Sequence, residues 1–85
     1  MNWYKLAKFI SAQSAVYDYL RSHPVNISSL PKNTLPEGFK LVFVDNGWFV
    51  LGPNNFLLVN KEENKQHAIS LAKMRIKYII SEFDK

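Results

Sequence analysis

His23 and His67 are the only histidines in the chain, and cysteine is absent. Any acid–base or metal chemistry has to start from these two imidazoles and the carboxylates around them. Glu63 lies four residues before His67, a spacing that sets the two on one face of a helix. A zinc site takes three or four protein ligands, and no His-Glu-x-x-His pattern occurs, so the pair reads as a surface interaction. Glu62 and Glu63 are adjacent, which on a helix turns them about 100° apart rather than across a shared substrate. Asp18 falls in a helical stretch and Asp45 in a turn, neither next to a histidine. No serine stands in a nucleophile-elbow context, and Gly38, Gly47 and Gly52 are too scattered to cradle a phosphate. The expectation is a protein with no catalytic set, no cofactor and no metal, and therefore not an enzyme.

Binding chemistry is better represented. Lys5 and Lys8 near the start, and Lys61, Lys65, Lys73 and Lys77 toward the end, are candidate contacts for a phosphate backbone. Tyr4 and Tyr19 offer flat surfaces on which bases could stack. The net charge of +4 is mild, and no basic run stands out. The second set of candidates is apolar. Leu71, Met74 and Tyr78 make a strip off the main apolar stripe of the last helix, and Phe49 and Leu51 lie together on one side of the sheet described next. These five are the candidate protein interface.

The elements that must position these residues are legible from periodicity. Residues 39–60 contain three short apolar runs separated by two turn signals, the pattern of a three-stranded antiparallel meander. Asn46-Gly47 is a strong hairpin signal, because a type I′ turn needs positive φ at both central residues. That turn pairs Val44 with Phe49 and Val42 with Leu51. Gly52-Pro53-Asn54-Asn55 supplies the second turn, as a two- or three-residue loop that leaves the third strand's register open by one residue. Side chains alternate across a strand. Phe39, Leu41, Phe43, Trp48 and Val50 share one face, and Lys40, Val42, Val44, Phe49 and Leu51 share the other. A sheet with one wet side shows polar residues there, and this one shows only Lys40. Either helices and a loop cover both faces, or one face is left for a partner.

A helix is expected over about residues 3–22, capped by Asn2, with Trp3, Leu6, Phe9, Ile10, Val16, Tyr17 and Leu20 on one side and Pro24 ending it. Residues 24–38 hold three prolines and read as a loop anchored by Val25, Ile27, Leu30 and Leu35 over a face or edge of the sheet. A second helix is expected over about residues 61–83, with Asn60 and Glu63 as its capping box. Ala68, Ile69, Ala72, Ile76, Ile79, Ile80 and Phe83 form its apolar stripe. Trp3, Phe9 and Trp48 suggest a small-molecule pocket between the first helix and the sheet as a further, weaker option. The 85 residues thus make one α+β domain of order α-β-β-β-α, with the sheet at 39–59.

The order is similar to that of double-stranded RNA-binding domains, and Lys65, Ala68, Ala72 and Lys73 resemble the basic, Ala-rich second helix of that family. The resemblance implies nucleic-acid binding as the alternative function. The sequence departs from the family at two places. Asp45-Asn46-Gly47 stands where a Gly-Pro-x-His loop is usual, and Lys61-Glu62-Glu63 replaces a Lys-Lys-x-Ala-Lys start, putting carboxylates where phosphate would sit. The first expectation is therefore a protein-interaction module that pairs with itself as a homodimer or with another protein. Such modules are common among small phage-borne and accessory bacterial products. No apolar run approaches the ~20 residues that span a membrane. With no signal-like start and no cysteine, the expected location is the cytoplasm.

Overall fold

The apolar alternation over 40–51 folds into a hairpin, β1 (Lys40–Val44) against β2 (Gly47–Leu51), to which β3 (Leu57–Glu62) adds on the far side of β2. A computed structural model describes residues 14–83 of the chain. In it the sheet follows a helix, α1, described over residues 14–22, and precedes α2 (Lys65–Phe83). The architecture is the α+β order α-β-β-β-α with a three-stranded antiparallel meander. The Asn2 cap and the first helix's expected course over 3–13 lie outside the described residues.

The hairpin turn is displaced by one residue from the expected Asn-Gly. Asp45 and Asn46 are its two central residues, with φ of 52° and 60°. Val44 pairs with Gly47, Val42 with Phe49 and Lys40 with Leu51. Asp and Asn tolerate the left-handed region well enough to take both positions. Gly47 is released to serve as a strand residue, and there a side chain would collide with Lys61: a Cβ would overlap Lys61 Cγ and come within 2.8 Å of Cε. The close approach of β3, rather than the turn, is what uses this glycine. The shift moves each pairing by two residues, so every side chain keeps its expected face.

The second turn is longer than expected. Residues 52–56 form a loop around a 3-10 turn, Pro53–Asn55, with Asn54 and Asn55 both at φ 61°. The Gly52 N–H donates to the Phe56 carbonyl at 2.7 Å. Leu51 pairs with Leu57, Val50 with Val59 and Trp48 with Glu62, so the register slips twice along β3. These are bulges, and they set the neighbouring Leu58 and Val59 both into the core.

β3 runs to Glu62, past the expected end of the sheet at 59, and α2 begins at Lys65 rather than 61. The cap is Asn64, whose Oδ1 accepts from the His67 N–H at 3.0 Å. Asn60 instead accepts from the N–H of Lys61 within the strand, at 2.9 Å. The expected capping box fails because pairing with Trp48 holds Glu62 in the sheet. Glu62 replaces Glu63 as the partner of His67, at 3.2 Å from Nδ1. Replacing Asn64 with alanine is expected to cost about 1 kcal/mol of stability, read by urea denaturation. An unchanged midpoint would contradict the assignment of the cap.

One core holds these elements. Val16 and Leu20 of α1, Phe39, Val50, Leu58 and Val59 from the sheet region, and Ala68, Ala72, Ile76 and Ile79 of α2 are buried together. Ile27 joins them, and Val25, Leu30 and Leu35 pack against them. The loop of 24–38, with its 3-10 turn Ile27–Ser29 capped by Asn26, therefore packs on the same core as both helices.

Candidate functional site

Among the described residues, α1, α2 and the loop all pack toward Phe39, Val50 and Val59, and none of these elements covers the opposite face of the sheet. Parity puts Val42, Val44, Phe49 and Leu51 on it, and the pairing of Leu51 with Leu57 adds Leu57. Among the described residues, none of these five belongs to the core or packs against it. Val44 and Leu57 are each 48% exposed, and the other three are half-buried. The two lysines of this face are drawn onto it. Lys40 Nζ donates to Asn55 Oδ1 at 3.1 Å, and the Lys61 stem lies over Gly47. The middle of the face is thus uncharged.

The two halves of the expected interface are not brought together. Phe49 and Leu51 stand on the uncovered sheet face. On α2, Leu71 packs against the core, while Met74 and Tyr78 are 65% and 57% exposed on the outer side of the helix. With the sheet between them, the two groups cannot form one patch. Leu57, Val42 and Val44 complete the sheet-side patch. For Val42 and Val44 the signal in the sequence was the same odd–even alternation that marked Phe49 and Leu51; for Leu57 alternation predicts the side of Val59, and the bulges of β3 part the two.

The four described lysines among the candidate contacts occupy three separate surroundings. Lys61 is on the uncovered face. Lys65 sits over the Trp48 ring, 5.6 Å from its centroid, beside Phe43, whose ring is 4.8 Å from that of Trp48. Lys73 donates to the Pro31 carbonyl at 3.0 Å, and Lys77 borders a groove with Val25, Asn26 and Ile27. Tyr19 is not a free stacking surface. Its ring stacks on His23 at 4.3 Å, and its hydroxyl donates to the Glu37 carbonyl at 3.2 Å. Tyr4, Lys5 and Lys8 lie outside the described residues, as do the pocket residues Trp3 and Phe9.

An open groove of about 550 Å³ is lined by Asp18, Tyr19, Ser22, His23 and Gly38 among others. Three of its polar side chains, Tyr19, Ser22 and His23, are turned to backbone. Ser22 Oγ donates to the Asp18 carbonyl at 3.4 Å, and His23 Nδ1 is 3.2 Å from the Tyr19 carbonyl. Among the described residues there is no cluster of potential metal ligands and no helix long and apolar enough to cross a membrane. Compared with known proteins, the chain matches no family model, no curated protein and no solved structure, so the geometry alone carries the functional argument.

Proposed function

We propose that this protein is a small, non-enzymatic interaction module of the cytoplasm that self-associates as a homodimer through the uncovered face of its sheet. The observation that carries this reading is the set Val42, Val44, Phe49, Leu51 and Leu57, apolar and outside the core. Burying apolar surface is favourable by roughly 25 cal/mol per Å². Lys40 and Lys61 are held against the sheet, so the patch presents no charge at its middle and suits an equally apolar face. A second copy offers such a face, and a two-fold contact places it patch on patch. The nucleic-acid alternative needs its lysines on one surface. The described ones are spread over three, and it gains no support from them.

Sedimentation velocity across a concentration series tests the proposal. Wild-type protein is expected to show a concentration-dependent dimer. Leu57→Lys, at a site already half exposed, is expected to weaken association at least tenfold while leaving the circular dichroism spectrum and melting temperature close to wild type. Met74→Lys, on the far side of α2, is expected to leave association unchanged. A strict monomer at high concentration, or dispersal by Met74→Lys alone, would overturn the reading.

A further inference from the structure

The uncovered face is small for its task. Three strands about 4.8 Å apart and about 17 Å long give a footprint on the order of 250 Å², and even about twice that in accessible surface falls short of the ~800 Å² per partner of a stable complex. The sheet carries a second feature that points to how it is enlarged. Its two edges differ sharply.

The β3 edge is guarded. It slips register twice, ends in Asn60, Lys61 and Glu62, and has Arg75 Nη1 donating to the Leu58 carbonyl at 2.6 Å. Bulges and charges of this kind are how edge strands avoid pairing. β1 has no bulge, and its single charge, Lys40, stands at its first residue. It is the run Lys40-Leu41-Val42-Phe43-Val44, unbulged, without proline, in straight register with β2. In a hairpin closed by the pair Val44–Gly47, the residues bonded to β2 are Val44, Val42 and Lys40. The N–H and C=O groups of Leu41 and Phe43 therefore point outward. No loop, turn or cap hydrogen bond among the described residues involves them.

We infer that the β1 edge pairs antiparallel with β1 of a second copy, joining the two sheets into one of six strands. This rests on the reading that the sheet's partner is the protein itself. The in-register solution sets Leu41 opposite Phe43 of the second copy and Phe43 opposite its Leu41, which satisfies all four outward-pointing groups on each chain. Val42 then faces Val42 of the second copy across the two-fold axis. Lys40 faces Val44 of the second copy, so like charges do not meet. Antiparallel pairing keeps Val42 of both chains on one side, so the two uncovered faces lie side by side as one surface of about twice the area; the edge contact is separate from the patch-on-patch contact, which then joins one edge-paired dimer to another. An extended peptide from another protein could use the same edge, but it would not make the self-register that the following experiment reads.

The chain has no cysteine, so a single introduced thiol reports only on its own partner. Across the proposed axis, Val42 sits in a pair without hydrogen bonds, where Cβ atoms lie about 4.5–5.5 Å apart, close enough for a disulfide after small adjustment. Val42→Cys is expected to oxidise to a covalent dimer, read on a non-reducing gel, whereas Val44→Cys, opposite Lys40 of the second copy, is expected to stay uncrosslinked. In the Val42→Cys background, Phe43→Pro removes an outward N–H and no bond to β2, and is expected to cut crosslinking at least tenfold. Phe43→Ala keeps that N–H and is expected to crosslink. Equal crosslinking at positions 42 and 44, none at 42, or insensitivity to Phe43→Pro would overturn the inference. The two proposals fail separately. Association that Leu57→Lys disperses, without crosslinking at 42, leaves face docking standing and removes edge pairing. Crosslinking at 42 with association untouched by Leu57→Lys supports edge pairing and removes face docking. Wild-type protein that stays monomeric, with no crosslinking at 42, overturns both.

Discussion

Ile76→Ala is expected to lower the free energy of unfolding by about 3–4 kcal/mol. Ile76 is fully buried in the middle of α2, in the cluster that joins that helix to Val50 and Val59 of the sheet and Val16 of α1. Truncation to the Cβ removes three carbons from this packing and leaves a cavity. The neighbours Ala72 and Ala68 are too short to swing into it. An 85-residue domain has a net stability of roughly 4–13 kcal/mol, so a loss of this size takes a large part of the whole. Urea denaturation followed by tryptophan fluorescence is the measurement. The midpoint should fall strongly with little change in slope. A loss below about 1 kcal/mol would mean that α2 is not locked onto the sheet at this point.

Gly38→Ala is expected to cost about 2–4 kcal/mol, by a different route. Gly38 has φ of +94°, a region that residues with a side chain rarely occupy. A Cβ there would also meet the Tyr19 ring, overlapping its hydroxyl and lying 2.7 Å from Cε1. Tyr19 cannot retreat freely. It stacks on His23, meets the edge of Phe39 at 6.3 Å and bonds the Glu37 carbonyl. Strain at Gly38 therefore spreads to the junction of α1 with the start of β1. Gly47→Ala provides the comparison. The clash there is with Lys61 from Cγ outward, which is relieved only by turning that side chain about its first bond, but φ is not positive, and the expected cost is smaller, about 1–2 kcal/mol. If the two alanine variants unfold alike, positive φ and the Tyr19 contact do not have the weight given to them.

Much of the architecture was legible because burial imposes a period on the sequence. Ala68, Ile69, Ala72, Ile76 and Ile79 recur at helical spacing, and all five are buried. The three strands were legible from apolar runs between turn residues. Pro24 marked the end of α1, whose described helix stops at residue 22. Boundaries between β3 and α2 were not legible. Asn60 and Asn64 both suit a cap, and only pairing of Trp48 with Glu62 decides that the strand continues past the first. The hairpin register was hidden for a related reason. A shift of two residues keeps every side chain on its face, so alternation cannot distinguish Asp45-Asn46 from Asn46-Gly47 as the turn. The fit of Lys61 over Gly47 does distinguish them.

For the interaction surface, the residue pattern alone established that Phe49 and Leu51 share a side with Val42 and Val44, because alternation is local to a strand. It also established that neither side of the sheet is polar enough to be an ordinary wet face. Which side stays bare was decided only by tertiary packing. Both faces are nearly equal in apolar content, so either would reward the helices for covering it. The outcome depends on α1, α2 and the loop anchors closing on Val50 and Val59 together, through contacts between residues far apart in the chain. The same long-range packing bends β3 through its two bulges and brings Leu57 beside Leu51.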